Sequence, residues 1–167
     1  MIKIVTPTLN LLLAASILLF TSTVAQASNQ ASEFVLPSLD GSNKSRSEFG
    51  GSVMLLHFWA TWCKPCVKEM PEIEASYQAL KDQGFVVVTI NTGDSRQKAN
   101  AFIKKHGFDV PVLLDKNWEV AGQYGVRGLP TSFFIDGTHN IYKKVEGGSL
   151  TQNNIMNTVR DRLDIKE

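Results

Sequence analysis

The chain has 167 residues, of which 17 are Lys or Arg and 16 are Asp or Glu, so its formal net charge is +1. A balance this close to zero argues against a nucleic-acid-binding surface and against a polybasic membrane patch. The length suffices for one domain with its own core and is too short for two.

The first 27 residues have the features of a signal peptide. Lys3 gives a positive start, residues 11–20 form a short apolar run, and a polar stretch then ends in Ala25-Gln26-Ala27, the pattern that signal peptidase reads. We expect cleavage after Ala27 and export of residues 28–167 as a single domain to the periplasm or another space outside the cytoplasm. The alternative is an uncleaved N-terminal membrane anchor, although the apolar run is shorter than the roughly 18 to 20 residues that span a bilayer.

The first elements of the domain follow from the pattern of apolar residues. The polar residues 28–32 are expected to form a short flexible lead-in. Residues 53–59 are an almost continuous apolar run, which is typical of a strand buried on both faces. After Cys66, apolar residues recur every three or four positions, which predicts an amphipathic helix that contains Pro71 and should bend there.

The later part of the chain alternates strands and helices and then ends with a strand pair. Further strands are predicted over residues 85–90, 112–114, 132–135 and 141–145, and further helices over residues 94–107, Asp115–Tyr124 and 151–163. Helices between the early strands imply parallel crossovers, and the short loop over residues 136–140 implies an antiparallel hairpin. The expected fold is therefore α/β, with a mixed central sheet covered by helices on both faces.

The cysteines, Cys63 and Cys66, are the candidate reactive groups. A disulfide between them closes almost no loop, so it adds little stability by chain entropy and points to chemistry instead. The pair lies where a buried strand passes into a helix, and the free N–H groups and positive dipole end of a helix start stabilise a thiolate. Lys64 acts in the same direction, while Pro65 removes one N–H donor. We expect Cys63 to attack a partner disulfide, and the more covered Cys66 to resolve the mixed disulfide.

Two motifs carry a family resemblance. Residues 58–66, Phe-Trp-Ala-Thr-Trp-Cys-Lys-Pro-Cys, followed by Glu69-Met70-Pro71, resemble the active-site segment of thioredoxin-like proteins, above all the exported TlpA/ResA group, which includes reductants of cytochrome c maturation. Gly128-Leu129-Pro130-Thr131 and the apolar strand after it resemble the second signature of these proteins, a cis-proline loop that faces the cysteines. The resemblance extends from roughly Glu33 to the C-terminus.

This resemblance implies a thioredoxin fold and a thiol–disulfide oxidoreductase that needs no cofactor. It implies client proteins with disulfides or thiols as substrates and a membrane electron donor. From the charge balance no nucleic-acid partner is expected, and we expect a monomer. It also implies a cis Leu129–Pro130 bond, beside which exposed backbone pairs with a client strand. The residues expected to face the substrate are Trp62, Lys64, Pro65, Leu129 and Thr131, next to Pro130.

Glu69 and His57 are candidates for proton handling. Glu69 stands three residues after Cys66 on the same side of the helix, and the TlpA/ResA group implicates a glutamate at this place in exchange. A half-buried carboxylate there would accept the proton of Cys66, whereas the simpler alternative is a solvated surface glutamate. His57 stands where cytoplasmic thioredoxins carry a buried aspartate. It is either a neutral, hydrogen-bonded core histidine or a proton acceptor beneath the cysteines with a pKa in the useful range.

Other classes of protein fit the sequence less well. One Cys-x-x-Cys motif supplies two of the four ligands of a structural zinc, and His57, His106 and His139 do not have ligand spacing to it, so no metal site is expected. A peroxidase needs a Pro-x-x-x-Thr-x-x-Cys pocket, but Thr61 lies only two residues before Cys63. A redox-inert binding module would not need both cysteines at an activated position. Within thiol–disulfide chemistry, export to an oxidising space favours an oxidase or isomerase, while the resemblance favours a reductase.

Overall fold

A computed structural model describes residues 29–163, and the predicted signal peptide lies outside the described residues. Two short strands come first, β1 (Val35–Pro37) and β2 (Asn43–Ser45), which pair as an antiparallel hairpin that the sequence pattern did not predict. The main elements follow in the order β3 (Val53–Trp59), α1 (Lys64–Leu80), β4 (Phe85–Thr92), α2 (Arg96–His106), β5 (Val112–Asp115), α3 (Glu119–Gln123), β6 (Thr131–Asp136), β7 (Ile141–Glu146) and α4 (Gln152–Val159). Among the described residues, no helix has the length and apolar character needed to cross a membrane.

The central sheet has five strands in the order β5-β4-β3-β6-β7. Strands β3, β4 and β5 run parallel, whereas β6 is antiparallel to both β3 and β7, so the predicted mixed sheet is confirmed. The carboxyl ends of β3, β4 and β5 therefore meet at one edge of the sheet. In open sheets of this kind, ligands bind at that edge.

The strand β3 lies at the centre of the sheet and is buried on both faces, as its apolar sequence predicts. Alternate residues point to opposite faces of a strand. Val53, Leu55 and Trp59 pack into one cluster with residues of α1, α2 and α4, while Leu56 and Phe58 pack into a second cluster with residues of α3. Helices therefore cover both faces, in agreement with the prediction.

The helix ends follow capping rules that are readable in the sequence. Ser95 is the N-cap of α2 and accepts the Lys98 N–H, and Gly107 ends the helix in the left-handed conformation. Thr151 is the N-cap of α4. The helix α1 contains Pro71, as predicted.

Two expectations about the elements of the fold are wrong. Asp115 does not begin a helix but ends β5, because its carboxylate accepts the backbone N–H groups of Glu119 and Ala121 and so holds the start of α3 four residues later. The segment that was expected to be a flexible lead-in is attached to the domain. The Ala31 N–H donates to the His139 oxygen at 2.8 Å, and Asn29 and Gln30 also pair with the β6–β7 hairpin.

Candidate active site

The two cysteines lie at the carboxyl end of β3, where the chain turns into α1. Cys63 is the N-cap of α1, and its sulfur accepts the backbone N–H of Cys66 at 3.3 Å. The two sulfurs form a disulfide, and the Cα atoms are 5.3 Å apart. Cys63 is 5% exposed and Cys66 is fully buried, so Cys63 is the more accessible of the two. A sulfur at a helix start that already accepts a backbone N–H is arranged to hold a thiolate.

A buried carboxylate, at the start of the helix predicted over residues 94–107, holds the loop before Cys63. Asp94 follows β4 and accepts the Thr61 N–H at 2.8 Å, the Thr61 hydroxyl at 3.0 Å and the Asn91 amide at 3.1 Å. Lys98 forms an ion pair with it at 2.8 Å. Burial opposes its ionisation, but these donors outweigh burial and hold the pKa of Asp94 below its ordinary value. The sequence feature that could have indicated this role is the position of Asp94 just after β4. This strand is parallel to β3, after which the cysteines follow, and lies next to it.

The proline loop lies beside the Cys-x-x-Cys motif. The Leu129–Pro130 peptide bond is cis, as the resemblance implied, and the Pro130 oxygen accepts the Gly147 N–H at 3.1 Å. Gly148 fills the space between the two motifs: a Cβ added there would lie 2.7 Å from Pro65 Cβ and 3.9 Å from Pro130 Cγ. The approach of these segments requires glycine, since Gly148 also has a φ of +73°. This glycine is not among the site residues predicted from the sequence.

The residues predicted to face the substrate divide into two groups. Trp62 is 57% exposed, Lys64 and Pro65 are also exposed, and Leu129 is half-buried. Thr131 does not fit the prediction, because it is only 1% exposed and its hydroxyl donates to the Gly128 oxygen at 2.7 Å. As the first residue of β6 it pairs with β3 on one side and β7 on the other, so it is enclosed by the sheet.

Glu69 is buried beneath the loop that leads into α4. One carboxylate oxygen accepts the Leu150 N–H, and the other is buried without a hydrogen-bond partner. Burial raises the pKa of Glu69, although the Leu150 N–H opposes the shift. With 3% exposure, Glu69 is not a solvated surface glutamate, so that alternative is wrong. Together with Glu72 and Gly148, it lines a cleft of about 180 Å³.

His57 is fully buried at the middle of β3. Its Nδ1 lies 2.8 Å from the Ser132 hydroxyl, and its Nε2 has no partner. Burial lowers the pKa of His57 to about 3, so the imidazole is neutral at the pH of most biological compartments. It is two residues before Trp59 on the face that carries the cysteines. Within residues 29–163, no group of three or more His, Cys, Asp or Glu side chains is placed to hold a metal ion.

The sheet, the helix-start dithiol and the adjoining cis-proline loop define an enzyme of the thioredoxin-like thiol–disulfide oxidoreductase class. The chain belongs to the AhpC/TSA family, whose model matches residues 27–144. It is 35% identical over 129 residues to the thiol-disulfide oxidoreductase ResA of Halalkalibacterium halodurans, which covers 77% of this chain and 73% of the relative.

Solved structures show the same fold. A putative thiol:disulfide interchange protein DsbE from Chlorobium tepidum is 29% identical, with a TM-score of 0.75 over 81% of this chain and 96% of that one. StoA from Bacillus subtilis is 28% identical, with a TM-score of 0.65 over 76% of this chain and 96% of that one. The predicted thioredoxin fold and the resemblance to the TlpA/ResA group are therefore confirmed.

Proposed function

We propose that this enzyme is an exported reductase of disulfides in client proteins, of the kind that serves cytochrome c maturation. The observation that carries the exchange chemistry is Cys63 at the N-cap of α1, where its sulfur accepts the Cys66 N–H, with Cys66 buried behind it. The similarity to relatives named thiol-disulfide oxidoreductase ResA supports the exchange chemistry, and the client class rests on the resemblance of the two motifs to the TlpA/ResA group.

The reaction has two exchange steps. The Cys63 thiolate attacks one sulfur of a client disulfide, the client S–S bond breaks, and a Cys63–client disulfide forms while the other client thiolate leaves and takes a proton from solvent. Cys66 then loses its proton to Glu69 and attacks the Cys63 sulfur. The Cys63–Cys66 disulfide forms, the second client thiolate leaves and is protonated, and two electrons have passed from the enzyme to the client. A membrane-bound dithiol donor would restore the reduced pair.

The environment of the dithiol supports the direction of this reaction. Pro65 has no N–H, so the first turn of α1 offers the Cys63 thiolate one donor fewer. A less stabilised thiolate shifts the equilibrium toward the disulfide and makes the pair a better reductant. His57 adds no positive charge beneath the sulfurs, because it stays neutral at its lowered pKa of about 3. Lys64 has the opposite effect, because its positive charge stabilises the Cys63 thiolate.

Glu69 and His57 have different parts in this proposal. Glu69 is proposed to accept the Cys66 proton, since it is buried one helical turn after Cys66 and burial raises its pKa toward that of a thiol. His57 is proposed to shape the site through its neutral ring and the hydrogen bond with Ser132 rather than through a change of charge.

The reduction potential tests the direction. The pair is equilibrated with glutathione or dithiothreitol buffers, and its state is followed by the fluorescence of Trp59 and Trp62. We expect a potential closer to the roughly −270 mV of thioredoxin than to the roughly −120 mV of DsbA. A value near that of DsbA would instead identify an oxidase, and an intermediate value with efficient disulfide reshuffling would identify an isomerase.

Trapping tests the assignment of the two cysteines. Cys66→Ala is expected to accumulate covalent complexes with clients in the cell, because the mixed disulfide cannot be resolved. Cys63→Ala is the matched control and should accumulate none. N-terminal sequencing of the mature protein from a fractionated cell tests cleavage after Ala27 and export, and analytical ultracentrifugation of that protein tests the monomeric state.

A further inference from the structure

Three large apolar side chains in the described part of the chain are exposed, and each belongs to a segment at or beside the edge of the sheet that carries the cysteines. Among residues 29–163 they are Trp62 at 57%, Trp118 at 37% and Val35 at 63% exposure. Trp62 precedes Cys63, at the carboxyl end of β3. Trp118 follows β5, whose carboxyl end is at the same edge of the sheet. Scattered exposed apolar residues need no explanation, but several of them on segments that share a reactive edge are typical of a binding surface.

Trp118 occupies a backbone position that does not favour tryptophan. Its φ of 64° and ψ of 21° are left-handed, a conformation that bulky residues rarely adopt. It is also the N-cap of α3, yet its side chain makes no capping hydrogen bond, and Asp115 accepts the N–H groups at this helix start instead. The indole therefore stabilises neither the left-handed turn nor the start of α3. A residue that violates local preference at an exposed place marks a functional role for its side chain.

The indole of Trp118 lies against the loop network that holds the dithiol. A Cβ added to Gly93 would be 3.0 Å from Trp118 Nε1, so this glycine, with a φ of +86°, provides the seat for the ring. The next residue is Asp94, which binds the backbone and hydroxyl of Thr61, the neighbour of Trp62. A short chain of contacts therefore connects the two tryptophans.

The spacing of the strands gives the separation of the two strand ends after which Trp62 and Trp118 follow. Since β4 lies between β3 and β5, the ends of β3 and β5 are about 10 Å apart at the usual inter-strand spacing. An extended peptide covers that distance in about three residues. Beyond Trp118, the antiparallel bridge between Ser38 and Leu113 brings β1 beside β5, and Val35 lines a cleft of about 280 Å³ there.

We propose that Trp62, Trp118 and Val35 form a docking strip for an extended apolar segment of the client, and that Trp118 selects clients with a large apolar residue about three positions from the reacting cysteine. This inference rests on the proposed function, because the client's cysteine must bond to the Cys63 sulfur. A client held there extends over the adjoining surface, and the strip supplies the exposed large apolar side chains of that surface. Trp118 is a specificity-determining residue and takes no part in the exchange itself.

Two synthetic peptides test the proposal with the whole mature enzyme in its reduced form. Both contain one internal disulfide and differ only at the third position on each side of one cysteine, with phenylalanine in the first peptide and serine in the second. The quantity measured is the ratio of the second-order rate constants for the two peptides. We expect a ratio of about ten in favour of phenylalanine for the wild-type enzyme, since about 1.4 kcal/mol of aromatic contact corresponds to tenfold.

The variants are Trp118→Gly, Trp118→Phe and the matched control His139→Gly. His139 is the other described non-glycine residue with positive φ, at 67°, and it lies in the β6–β7 hairpin at the opposite end of the sheet. Trp118→Gly is expected to reduce the ratio to near one, while Trp118→Phe and His139→Gly keep it. A wild-type ratio near one, an unchanged ratio in Trp118→Gly, or an equal loss in His139→Gly would overturn the inference. A wild-type enzyme that reduced neither peptide would instead refute the proposed function.

Discussion

Replacing Asp94 by alanine is expected to lower both the stability of the fold and the rate of thiol–disulfide exchange. The substitution removes the acceptor of three hydrogen bonds, two from Thr61 and one from the buried amide of Asn91. Each donor left without a partner costs about 1–3 kcal/mol, but the three share one carboxylate and are not additive. We expect a loss of about 3 kcal/mol in the free energy of unfolding, or about 10 °C in Tm.

The pH dependence of this loss follows from the charge of Asp94. Its donors hold the pKa of Asp94 below its ordinary value, so the stabilisation is present above the unfolded-state pKa of about 3.9 and is lost as the pH falls through the folded-state pKa. The unfolding free energies of wild type and Asp94→Ala should therefore differ most near neutral pH and converge below about pH 4. Urea unfolding at a series of pH values measures both curves.

Lys98→Ala is the matched control for the Asp94 variant. Lys98 is 55% exposed and contacts the same carboxylate, but its removal leaves Thr61 and Asn91 paired. Only the lysine end of this ion pair is exposed, so we expect its removal to cost less than the loss of the three buried hydrogen bonds. Because only Asp94→Ala releases the loop before Cys63, only that variant should slow exchange, by about tenfold or more. Equal effects of the two substitutions, or an unstable Asp94→Ala enzyme with an unchanged rate, would refute the reasoning.

Three further substitutions test the site. His57→Asn should make the free energy of unfolding less dependent on pH under acid conditions. In wild type, burial lowers the folded-state pKa of His57 to about 3. The free energy of unfolding of wild type is therefore expected to fall by about 1.4 kcal/mol per pH unit below the unfolded-state pKa of about 6.5. NMR titration should show no protonation of the His57 imidazole between pH 5 and 8. Glu69→Gln should change the dependence of stability on rising pH. Burial raises the pKa of Glu69, so the fold of wild type is expected to lose stability as the pH rises and the carboxyl group ionises. The variant should gain stability relative to wild type as the pH rises above the unfolded-state value of about 4.3, and a pH–rate profile identical to wild type would contradict a proton-accepting role. Gly148→Ala should slow exchange and lower Tm more than Gly107→Ala does: both have positive φ, but only at Gly148 would the Cβ meet the Cys-x-x-Cys motif, at 2.7 Å.

Much of the architecture was predictable because it depends on local patterns. The run at residues 53–59 is apolar on both faces because β3 is the central strand, and the caps Ser95 and Thr151 act through side-chain atoms only three residues from their partners. The reactive pair was also predictable, since a helix start after a buried strand is a local feature.

The remainder depended on contacts between distant residues. Asp94 meets Thr61 across 33 positions, and Glu69 meets Leu150 across 81, so no periodicity in the sequence indicates either contact. The assignment of Asp115 to a helix was wrong because its carboxylate binds N–H groups beyond its own strand, as a cap does, without itself being helical. Thr131 was taken to face the client because of its neighbour Pro130, but strand pairing on both sides encloses it.

The attachment of residues 29–31 to the β6–β7 hairpin has a consequence for handling the enzyme. That hairpin lies at the amino end of β3, and the dithiol lies at its carboxyl end, about 20 Å away at the usual rise per residue of a strand. An affinity tag, a bead or a lipid-bound tether joined ahead of Asn29 would therefore be attached at the end of the domain opposite Cys63. Immobilisation through that end would present the reactive face outward, in an orientation suited to capturing clients from solution.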